Sequence, residues 1–354
     1  MGLDYRVKCC PDGLMTDRRH KVKVLDCSIR DGGCCNDWQF SKELVAKTFD
    51  ALQRSGIEYM EIGYKTTEGA FDRDQVGPWR YCDEDVLREV ADGSGITLTT
   101  MTDFGRFTVD DLQPRSESIV GMIRCACYAK DVTETIRMLE HAQDLGYDVM
   151  CNVMAVSQCT PRQVDDFLGQ LHDSTIPNVA LVDSFGAFYP HHIRYLIRKY
   201  KNWLRPDQLL GVHLHNNQQT AFANSVVAIE EGADIVDATI HGIGRGAGNC
   251  PLELLLMYLD DEMYDVEPIL ELIPEYAALR DELRFGYHSP YAITGWLNLH
   301  PRAAIRQMGR EDRYHVLDFY RRMTDTRRRP RHHRPIPGSG TPMPAPPRTP
   351  VPHP

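Results

Sequence analysis

Eight short apolar runs recur along the chain, and amphipathic segments separate most of them. Many of their residues are β-branched, which is typical of buried strands. Strands that alternate with helical segments are typical of parallel strands joined by crossover helices. The eight runs are VKVLDCSIRDGG, YMEIGY, ITLTTMTDF, GMIRCACY, DVMCNVMAVS, NVALVDSF, LLGVHLHNN and IVDATIHGIG.

Helices are predicted between these runs. The first begins after a Ser41 cap and ends at Gly56, which are common helix boundary residues. Others are predicted at 131–146, 160–173, 191–204, 220–233 and 250–261. The strands and helices fill residues 21–260, about the length of a complete (β/α)8 TIM barrel of the α/β class. A doubly wound open sheet is the alternative, because one sequence does not reveal strand order.

The pattern changes on both sides of the predicted barrel. Residues 1–20 form a short N-terminal segment, and residues 261–325 are predicted to be a helical C-terminal extension. Residues 326–354 contain ten Pro, six Arg and no acidic residue. A segment of this composition cannot build a core and is expected to be disordered or polyproline-like. A passive tail is favoured there over a docking peptide.

Composition excludes several classes of function. A formal net charge of −10 over 354 residues argues against a general nucleic-acid binder. No apolar run approaches the roughly 20 residues that span a bilayer, and the polar start lacks a signal-peptide core. Eleven scattered Cys fit a reducing compartment better than a disulfide framework. We therefore expect a soluble cytoplasmic protein with neither a nucleic-acid nor a membrane partner.

The segment GVHLHNN carries two histidines, His213 and His215, one residue apart. On a strand, residues i and i+2 face the same side, so the two imidazoles can bind one cation. Two hydrogen-bonded core histidines are an equal alternative on this pattern alone. A carboxylate from elsewhere in the chain would favour the metal.

Polar residues at other strand ends supply that carboxylate. The active site of a TIM barrel lies at the carboxyl ends of its strands, and the first run ends with Arg30 and Asp31. Asp31 with the two histidines makes a set that suits Mn2+, Mg2+, Zn2+ or Fe2+. Asn249, after the glycine-rich turn GIGRGAGN, is a further oxygen ligand, direct or through water. Arg30 suits a carboxylate or a developing enolate oxygen.

Two of these motifs resemble a known superfamily. LDCSIRDGG resembles the signature of the DRE-TIM metallolyases, and HLHNN with the glycine-rich turn is similar to their second signature. The resemblance spans most of residues 22–260 and is nearest to the 4-hydroxy-2-oxovalerate aldolases, partly through TGWLNLHP. It implies a barrel with a helical C-terminal region and a divalent metal, usually Mn2+ or Mg2+.

The resemblance also implies roles for particular residues. Asp31, His213 and His215 would be metal ligands, and Asn249 would lie near the metal. Arg30 would stabilise the enolate of pyruvate or a related 2-oxo acid, next to which a carbon–carbon bond is made or broken. The implied partners are a small 2-oxo acid and an aldehyde, a homo-oligomer, and an aldehyde dehydrogenase by family analogy.

The sequence departs from the aldolase pattern at Cys34, where those enzymes have His. A thiol of ordinary pKa, about 8.5, is a poor base at neutral pH. Either Cys34 is tuned, or His288 or Tyr287 acts instead, or the reaction differs. Tyr287 or Tyr291 is the candidate acid, and aromatic packing of the extension is an equal alternative for both.

The remaining polar residues have less specific interpretations. Glu61 and Asp183 are expected to orient the metal ligands or Arg30, with structural hydrogen bonding as the alternative. A Schiff-base role for Lys65 is less favoured than an exposed salt bridge. We expect His241 to be a satisfied strand-end histidine, and Cys250 to cap the following helix.

Three functions follow. The leading hypothesis is a metal-dependent aldolase that cleaves or forms a 4-hydroxy-2-oxo acid. The second is a Claisen-type acyl transferase or acyl-CoA lyase on the same scaffold, disfavoured because no long regulatory C-terminal domain is visible. The third is a non-catalytic scaffold recruited through the Pro/Arg-rich tail.

Overall fold

Eight parallel strands, β1 to β8, pair in chain order and close into a barrel. This computed structural model describes residues 22–325; the predicted segments 1–20 and 326–354 lie outside them. The predicted TIM barrel is confirmed, and the open sheet is excluded because β1 pairs with β8. The strands are β1 Lys23–Asp26, β2 Tyr59–Tyr64, β3 Thr97–Asp103, β4 Val120–Tyr128, β5 Asp148–Met154, β6 Asn178–Asp183, β7 Leu209–Leu214 and β8 Ile235–Ala238.

Helices surround the barrel and form the C-terminal extension. The six predicted barrel helices are present, and a seventh, α3, was not predicted. They are α1 Ser28–Gly32, α2 Lys42–Arg54, α3 Glu84–Val90, α4 Val132–Asp144, α5 Pro161–Asp173, α6 Pro190–Trp203, α7 Ala221–Glu230, α8 Leu252–Leu259, α9 Glu267–Glu271, α10 Ile273–Leu283, α11 Ser289–Trp296, α12 Arg302–Met308 and α13 Val316–Thr324.

One crossover departs from the ideal barrel. Between β3 and β4 the chain forms only two 3-10 turns, Val109–Asp111 and Arg115–Glu117. The segment between them contains Pro114, and it lacks the repeat of apolar residues that an amphipathic helix needs. The barrel closes despite this, because β3 and β4 pair directly along six residues of each strand.

The first strand is shorter than predicted. It ends at Asp26, and the backbone N–H of Asp31 donates to the Cys27 carbonyl at 2.9 Å, which starts the one-turn helix α1. The prediction that Arg30 and Asp31 belong to a long first strand is therefore wrong. The early turn places both side chains at the carboxyl rim of the barrel, where a longer strand would have carried them past it.

The barrel interior changes from apolar to charged along the strands. Its lower layer contains Leu25, Met122, Met150, Ala180 and Ile235, all fully buried. Two residues further along β4 and β8 come the side chains of Arg124 and Asp237. Arg124 Nη2 lies 2.6 Å from Asp237 Oδ2, and Nη1 lies 3.1 Å from Glu61 Oε1. Buried charges are tolerated only when they are paired in this way.

The C-terminal extension packs on the rim of the barrel. The amide of Asn217, after β7, donates to the carbonyl of Tyr291 in α11 at 3.4 Å. Ser157 donates to Asn298 at 2.6 Å on the other side of the rim. The predicted helical extension is confirmed as α9 to α13, while its boundary at residue 261 stays a prediction. Within residues 22–325, no helix combines the length and apolar character needed to cross a bilayer.

We expect Arg124→Met to lower the free energy of unfolding by about 3–5 kcal/mol, because Glu61 and Asp237 would each keep a buried charge with a lost partner. Denaturant unfolding followed by circular dichroism measures this change. Arg162→Met, at a side chain that is 91% exposed, should change stability by less than about 0.5 kcal/mol. A loss below about 1 kcal/mol for Arg124→Met would contradict the pairing argument.

Candidate metal centre

Three buried side chains from distant parts of the chain meet at the carboxyl rim. Asp31 extends from α1, His213 from β7, and His215 from the bridge that follows β7. Their ligand atoms all lie within 4.8 Å of one another. A set of two nitrogens and one carboxylate oxygen at this spacing suits a divalent ion.

In each histidine, the ring nitrogen Nδ1 lies near a hydrogen-bond acceptor. His213 Nδ1 lies 2.9 Å from Asp237 Oδ2, and His215 Nδ1 lies 3.3 Å from the Gly248 carbonyl oxygen. Since both partners are acceptors, Nδ1 is the protonated nitrogen in each ring, and Nε2 keeps its lone pair. Burial lowers the pKa of His215 to about 3. The His215 imidazole is therefore neutral, and hydrogen bonds fix the orientation of both rings.

Asp31 is held in its ionised form. Burial alone would raise its pKa, but the surrounding positive charge, to which the Arg30 guanidinium contributes most, outweighs burial and holds the pKa well below its usual range. Arg30 Nη1 lies 2.7 Å from Asp31 Oδ1, and Asn249 Nδ2 donates to Oδ2 at 2.6 Å. The carboxylate is therefore charged and fixed in direction.

Asn249 supplies the observation that tests whether the site fits a metal. Its Oδ1 is buried and has no hydrogen-bond partner among residues 22–325. Its Nδ2 is fully occupied, since it also donates to the Ile243 carbonyl at 3.1 Å. This unpartnered buried acceptor belongs to a residue that contacts Asp31 and forms a backbone bridge with His215, and such an oxygen suits a cation. The residues fit a divalent metal.

Glycine is required where the turn passes this site. A Cβ on Gly244 would lie 2.2 Å from Asn249 Nδ2 and 2.6 Å from Asp31 Oδ2. Both distances are well inside van der Waals contact. The turn therefore approaches Asp31 and Asn249 as closely as it does only because residue 244 has no side chain.

A chain of ion pairs connects Arg30 to the proposed metal ligand His213. Arg30 Nε lies 2.5 Å from Glu61 Oε2, Glu61 pairs with Arg124, and Arg124 pairs with Asp237, which holds His213. Glu61 thus contacts Arg30, one of the groups that the sequence analysis expects it to orient. The sequence reasoning missed Arg124 and Asp237, whose only signal was a charge inside an apolar run.

A second potential metal set, Cys27, His213 and Asp237, shares His213 with the first. Burial raises the pKa of Cys27 well above its usual range, so its thiol keeps its proton. Asp237 is already paired with Arg124 and His213. The arrangement is therefore that of a hydrogen-bonded support for His213.

Cys34 lies near Asp31, on the 3-10 turn after α1. Burial, and then the Asp31 charge, raise the pKa of its thiol to about 12. The neighbouring Cys35 donates its thiol hydrogen to the Gly244 carbonyl at 3.1 Å. At neutral pH the Cys34 thiol is protonated, which disfavours it as a general base.

The structure distinguishes the three predicted acid or base residues of the extension. Tyr291 is buried and packs against the glycine-rich turn, where a Cβ on Gly246 would lie 3.1 Å from its ring. Burial raises its pKa to about 12, so its hydroxyl keeps its proton. Tyr287 is 59% exposed. His288 lies between these extremes, with its ring centroid 6.0 Å from that of Tyr291.

The prediction that Asp183 orients the ligands or Arg30 is wrong. Its two oxygens accept from the backbone N–H groups of Ala187 and Phe188 at 2.9 and 3.0 Å. Its neighbour Val182 belongs to the interior cluster, so strand alternation turns Asp183 outward. It stabilises the loop after β6, which was the alternative.

Three other residues have partners outside the proposed metal set. Lys65 donates to the Cys82 carbonyl at 3.1 Å and forms no salt bridge with any residue of the described range 22–325. His241 lies 4.0 Å from Glu253 and contacts Arg280, as expected for a satisfied histidine. Cys250 is buried but does not cap α8, since its thiol contacts the Pro251 carbonyl.

Comparison with known proteins agrees with this geometry. The sequence profile of the HMGL-like family matches residues 21–273. The chain belongs to the HMGL-like family. It is 29% identical over 314 residues to an oxaloacetate decarboxylase of Mycobacterium tuberculosis, covering 84% of the chain and 90% of that protein. It is 28% identical to a 4-hydroxy-2-oxovalerate aldolase of Brevibacillus brevis, covering 85% and 91%.

Solved structures share the fold of this HMGL-like chain. The N-terminal domain of a Bacteroides vulgatus protein provisionally described as an aldolase aligns with a TM-score of 0.70 at 26% identity, covering 84% of the chain and 99% of that domain. An HMG-CoA lyase from Bacillus subtilis aligns with a TM-score of 0.61 at 17% identity, covering 75% and 95%. The relatives support an enzyme of the aldolase-type lyase class, and the second structure supports the fold alone.

We expect Gly244→Ala to weaken Mn2+ binding by about 10-fold or more, because its Cβ would displace Asn249 and Asp31. Isothermal titration calorimetry on the purified protein measures the affinity. Gly309→Ala is the matched control, since a Cβ there would lie 3.7 Å from its nearest neighbour. Equal Mn2+ affinities in the two variants would show that the turn has no part in the site.

Proposed function

We propose that the protein is a divalent-metal-dependent lyase that breaks or makes a carbon–carbon bond next to a pyruvate-type enolate. The proposed substrate is a 4-hydroxy-2-oxo acid, which gives pyruvate and an aldehyde. The convergence of Asp31, His213 and His215 beside the Arg30 guanidinium carries this proposal. The name of the Brevibacillus brevis relative supports it.

The residues fit a metal with defined chemistry. Asp31, His213 and His215 would hold it, with Asn249 as a further ligand, and Mn2+ or Mg2+ is the proposed ion. When bound, such an ion supplies a Lewis acid for the keto and carboxylate oxygens of a 2-oxo acid.

Arg30 is the group that stabilises the developing negative charge. Glu61 and Asp31 engage its Nε and Nη1, and its Nη2 has no hydrogen-bond partner among residues 22–325. A guanidinium fixed on two sides offers its third nitrogen in a set direction, so little reorganisation is needed when charge develops. In cleavage, the C3–C4 bond breaks and its electron pair becomes the enolate.

Two protons move in aldol cleavage. The 4-hydroxyl loses one as the aldehyde forms, and C3 gains one as the enolate becomes pyruvate. We assign the donor role to Tyr291, whose raised pKa keeps its hydroxyl protonated. Of the predicted acceptors, His288 is neutral because burial lowers its pKa, whereas Cys34 carries its proton. His288 is therefore the better base.

We expect Asp31→Asn and His213→Ala each to reduce pyruvate release from 4-hydroxy-2-oxopentanoate by about 100-fold or more, with a parallel loss of bound Mn2+. A coupled lactate dehydrogenase assay measures the activity, and elemental analysis measures the metal. Arg162→Gln, on the barrel surface, should retain both. Full activity with bound metal in both site variants would rule out this centre.

Decarboxylation of a 3-carboxy 2-oxo acid such as oxaloacetate is the second candidate. It breaks the bond between C3 and the carboxyl carbon, releases CO2 and leaves the same enolate, which Arg30 would stabilise. No hydroxyl proton has to be removed, so a protonated Cys34 is no obstacle. The oxaloacetate decarboxylase of Mycobacterium tuberculosis, at 29% identity, supports this candidate.

Cys34→His separates the two candidates. If the protein is an aldolase, we expect pyruvate release from 4-hydroxy-2-oxopentanoate to stay equal or rise, because imidazole is a better base than a protonated thiol. Cys34→Ser is the size-matched control. A protein inert towards this substrate in both forms, yet active on oxaloacetate, would reverse the order of the candidates.

Other predicted functions have less support. The likeness to HMG-CoA lyases is one of fold, so it does not argue for an acyl-CoA substrate or Claisen chemistry. The fit of these residues to a divalent metal disfavours a non-catalytic scaffold protein. A homo-oligomer, a partner dehydrogenase and a cytoplasmic location stay predictions.

A further inference from the structure

One cation at the barrel mouth has no carboxylate partner among residues 22–325. Arg245 lies in the glycine-rich turn, and no carboxylate oxygen comes within the 4.0 Å of a salt bridge to its guanidinium. Its Nη2 donates to the Ser184 carbonyl at 2.9 Å, and its Nε is buried without a hydrogen-bond partner. A buried donor left unpaired costs free energy unless a ligand satisfies it.

Arg245 also lies beside the proposed metal. Its backbone N–H points at Asp31 Oδ2, 3.4 Å away, while its guanidinium reaches Ser184 after β6. The residue therefore extends from a metal ligand to the neighbouring part of the mouth. The guanidinium is therefore within the length of one arginine side chain of a proposed metal ligand, a distance that a small substrate spans.

Charge balance at the site also indicates that Arg245 binds a negatively charged group. The guanidiniums and carboxylates grouped here are equal in number, three of each. A divalent ion would add two positive charges, of which one substrate carboxylate neutralises one. In a partly buried site an unneutralised charge is unfavourable. The six groups are Arg30, Arg124, Arg245, Asp31, Glu61 and Asp237.

Building on the proposed function, we propose that Arg245 binds a second carboxylate of the substrate, so that the substrate class is a 2-oxo acid with two carboxylates. Arginine binds a carboxylate through two parallel N–H groups, and in Arg245 the Nε has no partner while Nη2 has one. A phosphate is disfavoured, since its two charges would face a single guanidinium. Arg245 is a specificity residue in this proposal and takes no part in proton transfer.

Binding of two matched ligands tests the proposal. The five-carbon acids 2-oxoglutarate and 2-oxopentanoate share the 2-oxo carboxylate, and only the first has a second carboxylate. Neither contains the 4-hydroxyl needed for cleavage. On the Mn2+-loaded protein, calorimetry should give 2-oxoglutarate the lower Kd by about 10-fold or more.

Variants assign this preference to Arg245. In Arg245→Gln the two Kd values should agree within about twofold, with the Kd of 2-oxopentanoate and that of Mn2+ unchanged. Arg245→Lys keeps the charge and should retain part of the preference. Arg162→Gln, a surface control, should retain all of it, and thermal unfolding checks that each variant is folded.

Three outcomes overturn the proposal: equal binding of the two acids by the unmodified protein, a preference that survives in Arg245→Gln, or no binding of either acid. Failure of the proposed function gives a different result. In that case no 2-oxo acid yields pyruvate, while the Arg245-dependent preference persists. Pyruvate release without a preference for 2-oxoglutarate would support the proposed lyase function and rule out a second substrate carboxylate at Arg245.

Discussion

The pairing of Arg124 with Glu61 and Asp237 at the centre of the barrel is the interaction on which the site depends. Removing three charges from water is costly, and the cost is offset only if each charge keeps its partners in good geometry. The second carboxylate oxygen of Glu61 pairs with Arg30. The Asp237 oxygen that pairs with Arg124 also contacts His213. One buried guanidinium therefore fixes Arg30, the group proposed to stabilise an enolate, and His213, a proposed metal ligand. The apolar layer beneath it supplies the stability that the ion pairs do not.

The glycine-rich turn is the second constraint, and it acts through backbone geometry. Gly248 has a φ of +77°, and a Cβ there would lie 1.9 Å from the Gly242 carbonyl oxygen. The turn can fold this tightly only without side chains at its close approaches. It thereby presses Asn249 onto Asp31, while Arg245, the only charged residue in it, reaches out over the mouth. The same turn completes the metal site and supplies the cation next to it.

Sequence reasoning reached those features that local periodicity controls. The i, i+2 spacing of His213 and His215 fixes their common face wherever the strand lies, and alternating strands and helices predicted the barrel. Asp31 joins them only through closure of β1 onto β8, which no local pattern encodes; the family signature supplied that link. The sequence analysis missed Arg124 and Asp237 because a charged residue inside an apolar run does not indicate which residue it pairs with. The role of Asp183 was predicted wrongly, although the alternation of side chains along the strand was enough to assign it. Ala180 and Val182 face the barrel interior, so Asp183 faces outward.

Arg245 and Cys34 bear differently on what the site cleaves. A protonated Cys34 is compatible with decarboxylation, which needs no base. Yet a guanidinium paired with a carboxylate that must leave as CO2 stabilises the ground state more than the transition state, because the charge moves away from it during bond breaking. Such an interaction slows the step it accompanies. A carboxylate held by Arg245 does not slow cleavage if it stays charged throughout, as it would on the aldehyde half of a 4-hydroxy-2-oxo dicarboxylate. For the proposed lyase, differential binding therefore favours aldol cleavage of a doubly charged acid, with His288 as the proposed base.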